Sequence, residues 1–376
     1  MFNGFANVWT PVELSKRVGR KRPVRVVIAG EAIVLFRGRD GRVAALIDRC
    51  PHRGVSLSLG SITAEGRLEC PFHGWQFEES GACAHIPYCD LPADKRSRMR
   101  ALGLPVREVS GLIWLFTGAL REDAPSVTGA DTSAVTGAVT GAVTGTNAGT
   151  GTSAGEPAIP EMLVPGAGSS LWIHAETWKT HWTRVMENML DFPHLPFIHR
   201  RTIGRQLRAS LKSGSTLKLD WEPNETGALI RASFDGEPAG AALEWRRPNG
   251  MVLRLDPPGG KKMRMHLYCV PIDDKSTRLI LVAARNFWRN PVGKLFDQFN
   301  RLILLEDRSI VESSDPPEVP PAGDELSVAT DGPTLAFRRY YYRELRCRGA
   351  EDLVSARSLT RRGGAPASPS ALPLAS

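Results

Sequence analysis

Cys50-Pro51-His52-Arg53-Gly54 and Cys70-Pro71-Phe72-His73-Gly74-Trp75 stand with 19 positions between their cysteines. Each run offers one thiolate and one imidazole from a short loop. Structural zinc also accepts two cysteines and two histidines, but its paired ligands are usually separated by roughly two to four residues. Cys50 and His52 have a single residue between them. Iron–sulfur clusters normally use four thiolates, and replacing two of these by histidines on one iron raises the cluster potential. The two loops are therefore expected to clamp opposite sides of one two-iron, two-sulfur cluster through Cys50, His52, Cys70 and His73. Neutral imidazole ligands would make its redox behaviour sensitive to pH.

Around these loops the chain reads as short strands with turn punctuation. Val24–Ala29 and Ala32–Arg37 flank the Gly30–Glu31 turn, Arg42–Asp48 follows Asp40–Gly41, and Ile113–Phe116 closes the unit. Residues 1–120 are thus expected to form a small all-β domain. From 121 to 165 the composition shifts to Gly, Ala, Thr and Ser, and Ala-Val-Thr-Gly occurs three times in succession between Ala134 and Gly145. Such a tract cannot build a core and is expected to be a flexible linker or insertion without chemistry. Residues 166–347 then carry helical spacing over Glu176–Leu190, with Trp178, Trp182, Val185, Met186 and Met189 on one face. Strand-like runs follow at Leu217–Trp221, Ala228–Phe234, Met251–Leu255, Lys262–Val270 and Thr277–Ala284, and a second helix is expected over Gly293–Ser313. Strands between two long helices indicate an α+β domain. The tail 348–376, rich in Ala, Pro, Ser and Arg, is expected to be disordered.

Composition narrows the class. With 376 residues, 42% hydrophobic and 23% charged, the chain reads as a soluble globular protein of two domains. It has no apolar run of about 18 residues, so no membrane span is expected. The opening MFNGFANVWTPVELSKR lacks the order of a secretory signal, and a cytoplasmic location follows as an expectation. Cys83, Cys89, Cys269 and Cys347 have no ligand partner nearby and read as buried packing thiols. The formal charge of +8 favours an acidic partner, whereas no nucleic-acid-binding motif accompanies it. Lys16, Arg17, Arg20, Lys21, Arg22 and Arg25, and Arg200, Arg201, Arg205 and Arg208, are either solvated charge or a steering surface for an acidic electron donor.

A second site is written in Glu187-Asn-Met-Leu-Asp191-Phe-Pro-His194-Leu-Pro-Phe-Ile-His199. An offset of five does not put His194 and His199 on one face of an unbroken helix, but Pro193 and Pro196 prevent one. A helix that breaks here can turn both imidazoles to one point. Two histidines and a carboxylate leave an iron open positions for oxygen. Asp307 is the candidate carboxylate, placed by helical spacing with Ile303 and Ile310, where burial would demand a partner. The competing reading is an exposed acidic flank of Glu306, Asp307 and Glu312, with Arg308 pairing locally, and spacing alone leaves both open.

The motifs together resemble a known family. Cys50-Pro-His-Arg-Gly, Cys70-Pro-Phe-His-Gly-Trp and the Gly81–Pro87 stretch look like the Rieske domain of bacterial terminal oxygenases, over most of residues 4–118. Asn188, Asp191, His194 and His199, then Glu306-Asp307 with Glu312, and Ala284-Arg-Asn-Phe287 resemble the catalytic domain of Rieske non-haem iron oxygenases. The dicamba and vanillate O-demethylases, aminopyrrolnitrin oxygenase and pheophorbide a oxygenase are of this kind. The resemblance implies a helix-grip (START-like) catalytic domain with an antiparallel sheet. It implies a mononuclear Fe(II) held by His194, His199 and Asp307, with O2 as co-substrate. It also implies that Asp191 is an inter-subunit electron relay rather than a ligand, which requires a homotrimer. The Gly/Ala/Thr insertion and a shorter strand region depart from the family pattern.

The function so implied is a terminal oxygenase that hydroxylates, dealkylates or N-oxygenates a small hydrophobic or aromatic substrate. A ring cis-dihydroxylating dioxygenase is the alternative, and a Rieske electron carrier or ligand-binding protein is the remote one. No G-x-G-x-x-G fingerprint is present. NAD(P)H electrons would therefore arrive only indirectly, through a ferredoxin, a ferredoxin reductase or both. In Lys262–Val270, Arg264, His266 and Tyr268 share a face by period two, lining a pocket or facing water.

Overall fold

The computed structural model describes residues 1–118, 159–162, 169–210, 214–288 and 291–346. The tail 348–376, Cys347 and all of 121–165 except 159–162 lie outside these. The described N-terminal part is entirely β apart from one short helix, α1 (Ala93–Ser97), and two 3₁₀ turns. Strands β1 (Trp9–Leu14), β11 (Leu112–Phe116) and β10 (Val106–Val109) form one antiparallel sheet. β2 (Val24–Ile28), β3 (Glu31–Arg37), β4 (Val43–Ile47) and β9 (Gly103–Leu104) form a second. A third, small sheet holds β5 (Ser61–Ile62), β6 (Leu68–Glu69), β7 (Gln76–Phe77) and β8 (Cys83–His85); the Cys70 loop joins its β6 to β7, whereas the Cys50 loop follows β4.

β3 explains how these sheets share space. Side chains alternate across a strand, and here both faces are covered. Ile33 and Leu35 enter a large core that runs on into the second half of the chain. Val34 and Phe36 enter a separate small core with Leu57, Leu68 and Phe77, around Cys50, Cys70 and Cys83. β4 repeats the division, with Ala45 on the large side and Ala44 and Leu46 on the small.

The second half is an antiparallel sheet of seven strands in the order β12-β18-β17-β16-β15-β14-β13. These are β12 (Ser170–Trp178), β13 (Leu217–Asn224), β14 (Gly227–Phe234), β15 (Glu237–Arg246), β16 (Gly250–Leu255), β17 (Met263–Asp273) and β18 (Ser276–Arg285). Inner strand β18, next to the β12 edge, is buried on both faces and reads as a continuous apolar run, Leu-Ile-Leu-Val-Ala-Ala. Edge strand β13 instead carries Lys218, Asp220 and Glu222, charges that discourage pairing with another chain. Helix α2 (Trp182–Leu190) packs on β16, β17 and β18, and α5 (Val292–Val311) and α6 (Gly332–Tyr340) pack on α2. The α+β class and the antiparallel sheet are as expected. Among the described residues no helix is long and apolar enough to cross a membrane.

The N-terminal strands are fastened to the large sheet. Ala29 and Gly30, at the tip of the β2–β3 hairpin, donate their amides to the carbonyls of Pro271 and Ile272 at 2.9 and 2.8 Å. Arg278 donates to Glu13 at 2.7 Å, and Asn249 donates to the Thr10 hydroxyl at 3.0 Å. Tyr268 lies edge-on to Trp114 with ring centroids 5.2 Å apart. Tyr268 and His266 are buried, which removes the water-facing reading for both, and Arg264 is held at the sheet by Asp256.

Four expectations need correction. Glu176–Leu190 is not one helix: β12 continues to Trp178 and α2 begins at Trp182. Glu176 accepts from Trp178 Nε1 at 2.6 Å and contacts His174 Nε2 at 2.9 Å, so residues 174, 176 and 178 share a strand face. His181 then caps the helix by accepting from the Thr183 amide. The Trp178–Trp182 spacing of four was coincidental. β12 and β15 were missed as strands, the latter because its small residues carry no strand signal. The buried face of α5 is Gly293, Asp297, Asn300, Leu304, Asp307 and Val311, so Asp307 sides with Leu304 and Val311, whereas Ile310 is 54% exposed. Cys89 is exposed, not packed, whereas Cys83 and Cys269 are buried as expected.

A buried ion network ties α2 to α6. Arg338 donates to Glu187 and Glu325 at 2.6 Å each, and Arg184 donates to the same two residues at 3.1 and 2.7 Å. Arg338→Met is expected to cost about 2 kcal/mol in urea unfolding, because Glu187 and Glu325 each lose one charged partner and keep only Arg184; a loss below about 0.5 kcal/mol would contradict this. Hydrogen bonds from Arg184 hold Glu325 below its ordinary value of 4.5. A depressed carboxylate stabilises the fold fully above that value and less as pH falls below it. The cost of Arg338→Met should therefore shrink on acidification from pH 6 towards pH 3.

Candidate metal centres

The first centre is built from two loops of similar design. In each, the cysteine amide donates to a carbonyl five residues on, Cys50 to Val55 and Cys70 to Trp75, both at 2.8 Å. In each, a glycine amide returns to the cysteine carbonyl, Gly54 to Cys50 at 2.9 Å and Gly74 to Cys70 at 3.0 Å. Gly54 and Gly74 have φ of +73° and +68°, which L side chains resist. A Cβ at Gly74 would also press on Pro87 at 3.0 Å. These backbone rings turn the chain so that all four donors lie on the two loops.

The two sulfurs and the two imidazoles occupy different surroundings. Cys50 and Cys70 are each 2% exposed, whereas the His73 ring reaches the surface. The His52 and His73 rings stand 4.7 Å apart, and Trp75 stacks on His52 at 4.6 Å and 5°, fixing its plane. Burial, with the neighbouring Cys70 thiol adding to it, pushes Cys50 up to about 11. Such a buried thiol becomes a thiolate ligand with a cation beside it. His52 Nδ1 is shut off from solvent without a hydrogen-bond partner. Paired thiols on one side and paired imidazoles on the other fit a mixed-ligand cluster.

The second centre forms where α2 ends. Asp191 closes the helix, its amide bonded to Glu187 O at 3.0 Å. Pro193 follows, and the one-turn helix α3 (Leu195–Ile198) is bracketed by His194 and His199. The break makes the offset of five workable: the two rings lie 5.3 Å apart. Across the gap, α5 presents Asp307. Its Oδ1 lies 3.2 Å from His199 Nε2 and 3.6 Å from His194 Nε2. One atom from each of the three residues falls within 4.8 Å of the others. Asp307 Oδ1 is buried, and neither contact has the geometry of a hydrogen bond. A buried carboxylate oxygen facing two imidazole nitrogens needs a cation, and this donor set suits a divalent metal with open positions. Another short helix, α4 (Gly204–Ser210), follows and packs on α3.

Each outer imidazole nitrogen also faces a carboxylate. His194 Nδ1 lies 3.5 Å from Asp191 Oδ2, on a side chain 32% exposed. His199 Nδ1 lies 2.9 Å from Glu306 Oε2, which also accepts from the Thr202 hydroxyl at 2.6 Å. Burial alone would lower the pKa of His199, but Asp307 and Glu306 outweigh it and the net shift is upward. The acidic-flank reading holds only for Arg308 and Glu312, which pair at 2.8 Å. Glu306 and Asp307 both turn inward.

Comparison with known proteins identifies the family. The model of the Rieske [2Fe-2S] domain matches residues 8–95, and that of the vanillate O-demethylase oxygenase C-terminal domain matches residues 178–345. A 4beta-methylsterol monooxygenase of Methylococcus capsulatus is 31% identical over 293 residues, 73% of this chain and 67% of that protein. The chain belongs to the Rieske non-haem iron oxygenases. Chlorophyllide a oxygenase of Oryza sativa subsp. japonica is 26% identical over 86% of this chain. This Rieske oxygenase spans little more than half, 55%, of that relative's length. The structure of Pseudomonas putida CBB5 NdmA superposes with a TM-score of 0.66 at 22% identity, covering 93% of this chain and 94% of that one, which establishes a shared fold.

Family membership implies a 2Fe-2S cluster and a mononuclear iron, and the residues present fit both. Sequence reasoning about this Rieske oxygenase missed Trp75, Thr202 and Glu306 as parts of the sites. For Glu306 a signal existed: it precedes the candidate ligand Asp307 on the same helix. Its direction could not be read without knowing which face of α5 is buried.

Proposed function

We propose that this chain is the terminal oxygenase of a multicomponent system, with residues 1–120 and 166–347 as its Rieske and catalytic domains. The observation that carries the reading is the convergence of His194 Nε2 and His199 Nε2 on the buried Asp307 Oδ1, in a chain that also carries the four cluster donors. Cys50, His52, Cys70 and His73 would hold the 2Fe-2S cluster, and His194, His199 and Asp307 the mononuclear iron. When bound, that iron supplies the activation of O2.

The chain's own residues supply the rest. The proline-broken segment between α2 and His199 orients both imidazoles. Asp191 can accept from His194 Nδ1 with one oxygen, while its exposed side can accept from a cluster histidine of a neighbouring subunit. This gives it the role of electron relay and calls for a homotrimer. The activities of these relatives favour monooxygenation, namely hydroxylation or dealkylation of a small hydrophobic or aromatic substrate. Electrons would come from a ferredoxin, a ferredoxin reductase or both.

The first test is optical and elemental. Purified protein should be red-brown with about three irons per chain, two in the cluster and one mononuclear. Cys50→Ser should bleach the visible spectrum. With a reductase and a substrate of the proposed class, oxygen consumption should match product formation. A colourless protein holding zinc would overturn the reading.

A further inference from the structure

The His199 ring is bracketed by two consecutive residues of one helix. Glu306 meets its Nδ1 at 2.9 Å, and Asp307 Oδ1 faces its Nε2 at 3.2 Å. Successive helical residues point about 100° apart, so α5 touches the ring on both edges and sets its plane. A carboxylate can only accept, so His199 Nδ1 carries the proton and donates it to Glu306. In the neutral ring Nε2 then holds the free lone pair, on the side where Asp307 and His194 converge. Thr202, three residues beyond His199, donates to the same Glu306 oxygen at 2.6 Å and keeps it in place.

The two imidazoles are backed unequally. Asp191 stands 3.5 Å from His194 with a side chain 32% exposed, whereas Glu306 stands 2.9 Å from His199 and is 19% exposed. Less water around the second pair makes its charge more effective. A donated N–H to an anion also increases electron density at the opposite nitrogen, which makes a better metal donor.

We infer that Glu306, braced by Thr202, is a positioning residue for the mononuclear iron: it fixes His199 in the tautomer that ligates through Nε2 and strengthens it as a donor. This rests on the reading of His194, His199 and Asp307 as iron ligands. His199 is thus secured from within the chain by Glu306, independently of Asp191, which faces His194.

The test uses the full chain with its cluster intact and the mononuclear site emptied by chelation, titrated anaerobically with Fe(II) against a competing chelator. Glu306→Ala should weaken Fe(II) binding by about 10- to 100-fold. Glu306→Gln should fall between Ala and wild type, because its carbonyl keeps the tautomer but not the charge. Thr202→Val should weaken binding less than Glu306→Ala does. The thermal midpoint of the metal-free protein should stay unchanged in all three, and only the rise on adding Fe(II) should shrink. With Co(II) as an optical probe, the visible bands of the Ala variant should shift. Wild-type affinity in both Glu306 variants would overturn the inference, as would weaker binding matched by a lower metal-free midpoint with unshifted Co(II) bands. If wild type itself takes up no iron beyond the cluster, the ligand assignment fails instead.

Discussion

Asp191→Asn is expected to leave both metals in place and to slow turnover by about 100-fold or more, the upper end of what an outer partner of a metal ligand contributes. The reason lies in counting acceptors. An ionised aspartate accepts on two oxygens at once, whereas asparagine accepts on one and donates from the other side. Asp191 faces His194 Nδ1 at 3.5 Å and keeps a third of its side chain exposed. Its isosteric amide can satisfy the imidazole or a neighbour's donor, but not both. The measurement is the rate at which the reduced cluster loses electrons when mixed with oxygen and substrate. In the variant that phase should slow while iron content and the visible spectrum match wild type. Unchanged kinetics would show that electrons take another route. Full activity in a monomer would remove the need for a neighbouring cluster.

His194→Ala should do the reverse. Iron should fall from about three to about two per chain, with the visible cluster spectrum unchanged and product formation at background. His194 is one of three side chains within 4.8 Å of a common point, and no fourth protein donor of this kind joins them among the described residues. Removing it leaves a two-donor site with Asp307 buried on one wall. The cluster should not respond, because its donors sit on loops of a different core. Bleaching of the visible spectrum in this variant would show that the two centres are not structurally independent. Together the two variants separate electron delivery from metal retention.

Most of the chemistry was legible because metal ligation constrains spacing and residue type more tightly than folding does. The intervals of the two cysteine–histidine loops pointed to one shared centre, and the prolines pointed to the break between His194 and His199 that α3 shows. Asp307 was ambiguous by spacing, because a carboxylate on a helix reads equally well as solvated charge until the buried face is known. That face proved to run through Leu304 and Val311 rather than through Ile303 and Ile310. The start of α2 was misread because Trp178 and Trp182 fit a helix by period, whereas Glu176 commits its carboxylate to its strand neighbours His174 and Trp178. Thr202 carried no signal and Glu306 only its place before Asp307, since their meeting joins residues 104 apart in the chain.

β3 serves two parts of the molecule at once. Its odd positions Ile33 and Leu35 and its even positions Val34 and Phe36 belong to different cores. Neighbouring codons therefore address different parts of the molecule. Trimming Phe36 would loosen the bed beneath the cysteine loops and leave the joint with the seven-stranded sheet untouched, whereas trimming Leu35 would do the opposite. For an engineer wishing to tune the bed of the cysteine loops without disturbing the seam to the large sheet, this strand is a ready-made partition, with one set of dials on each side.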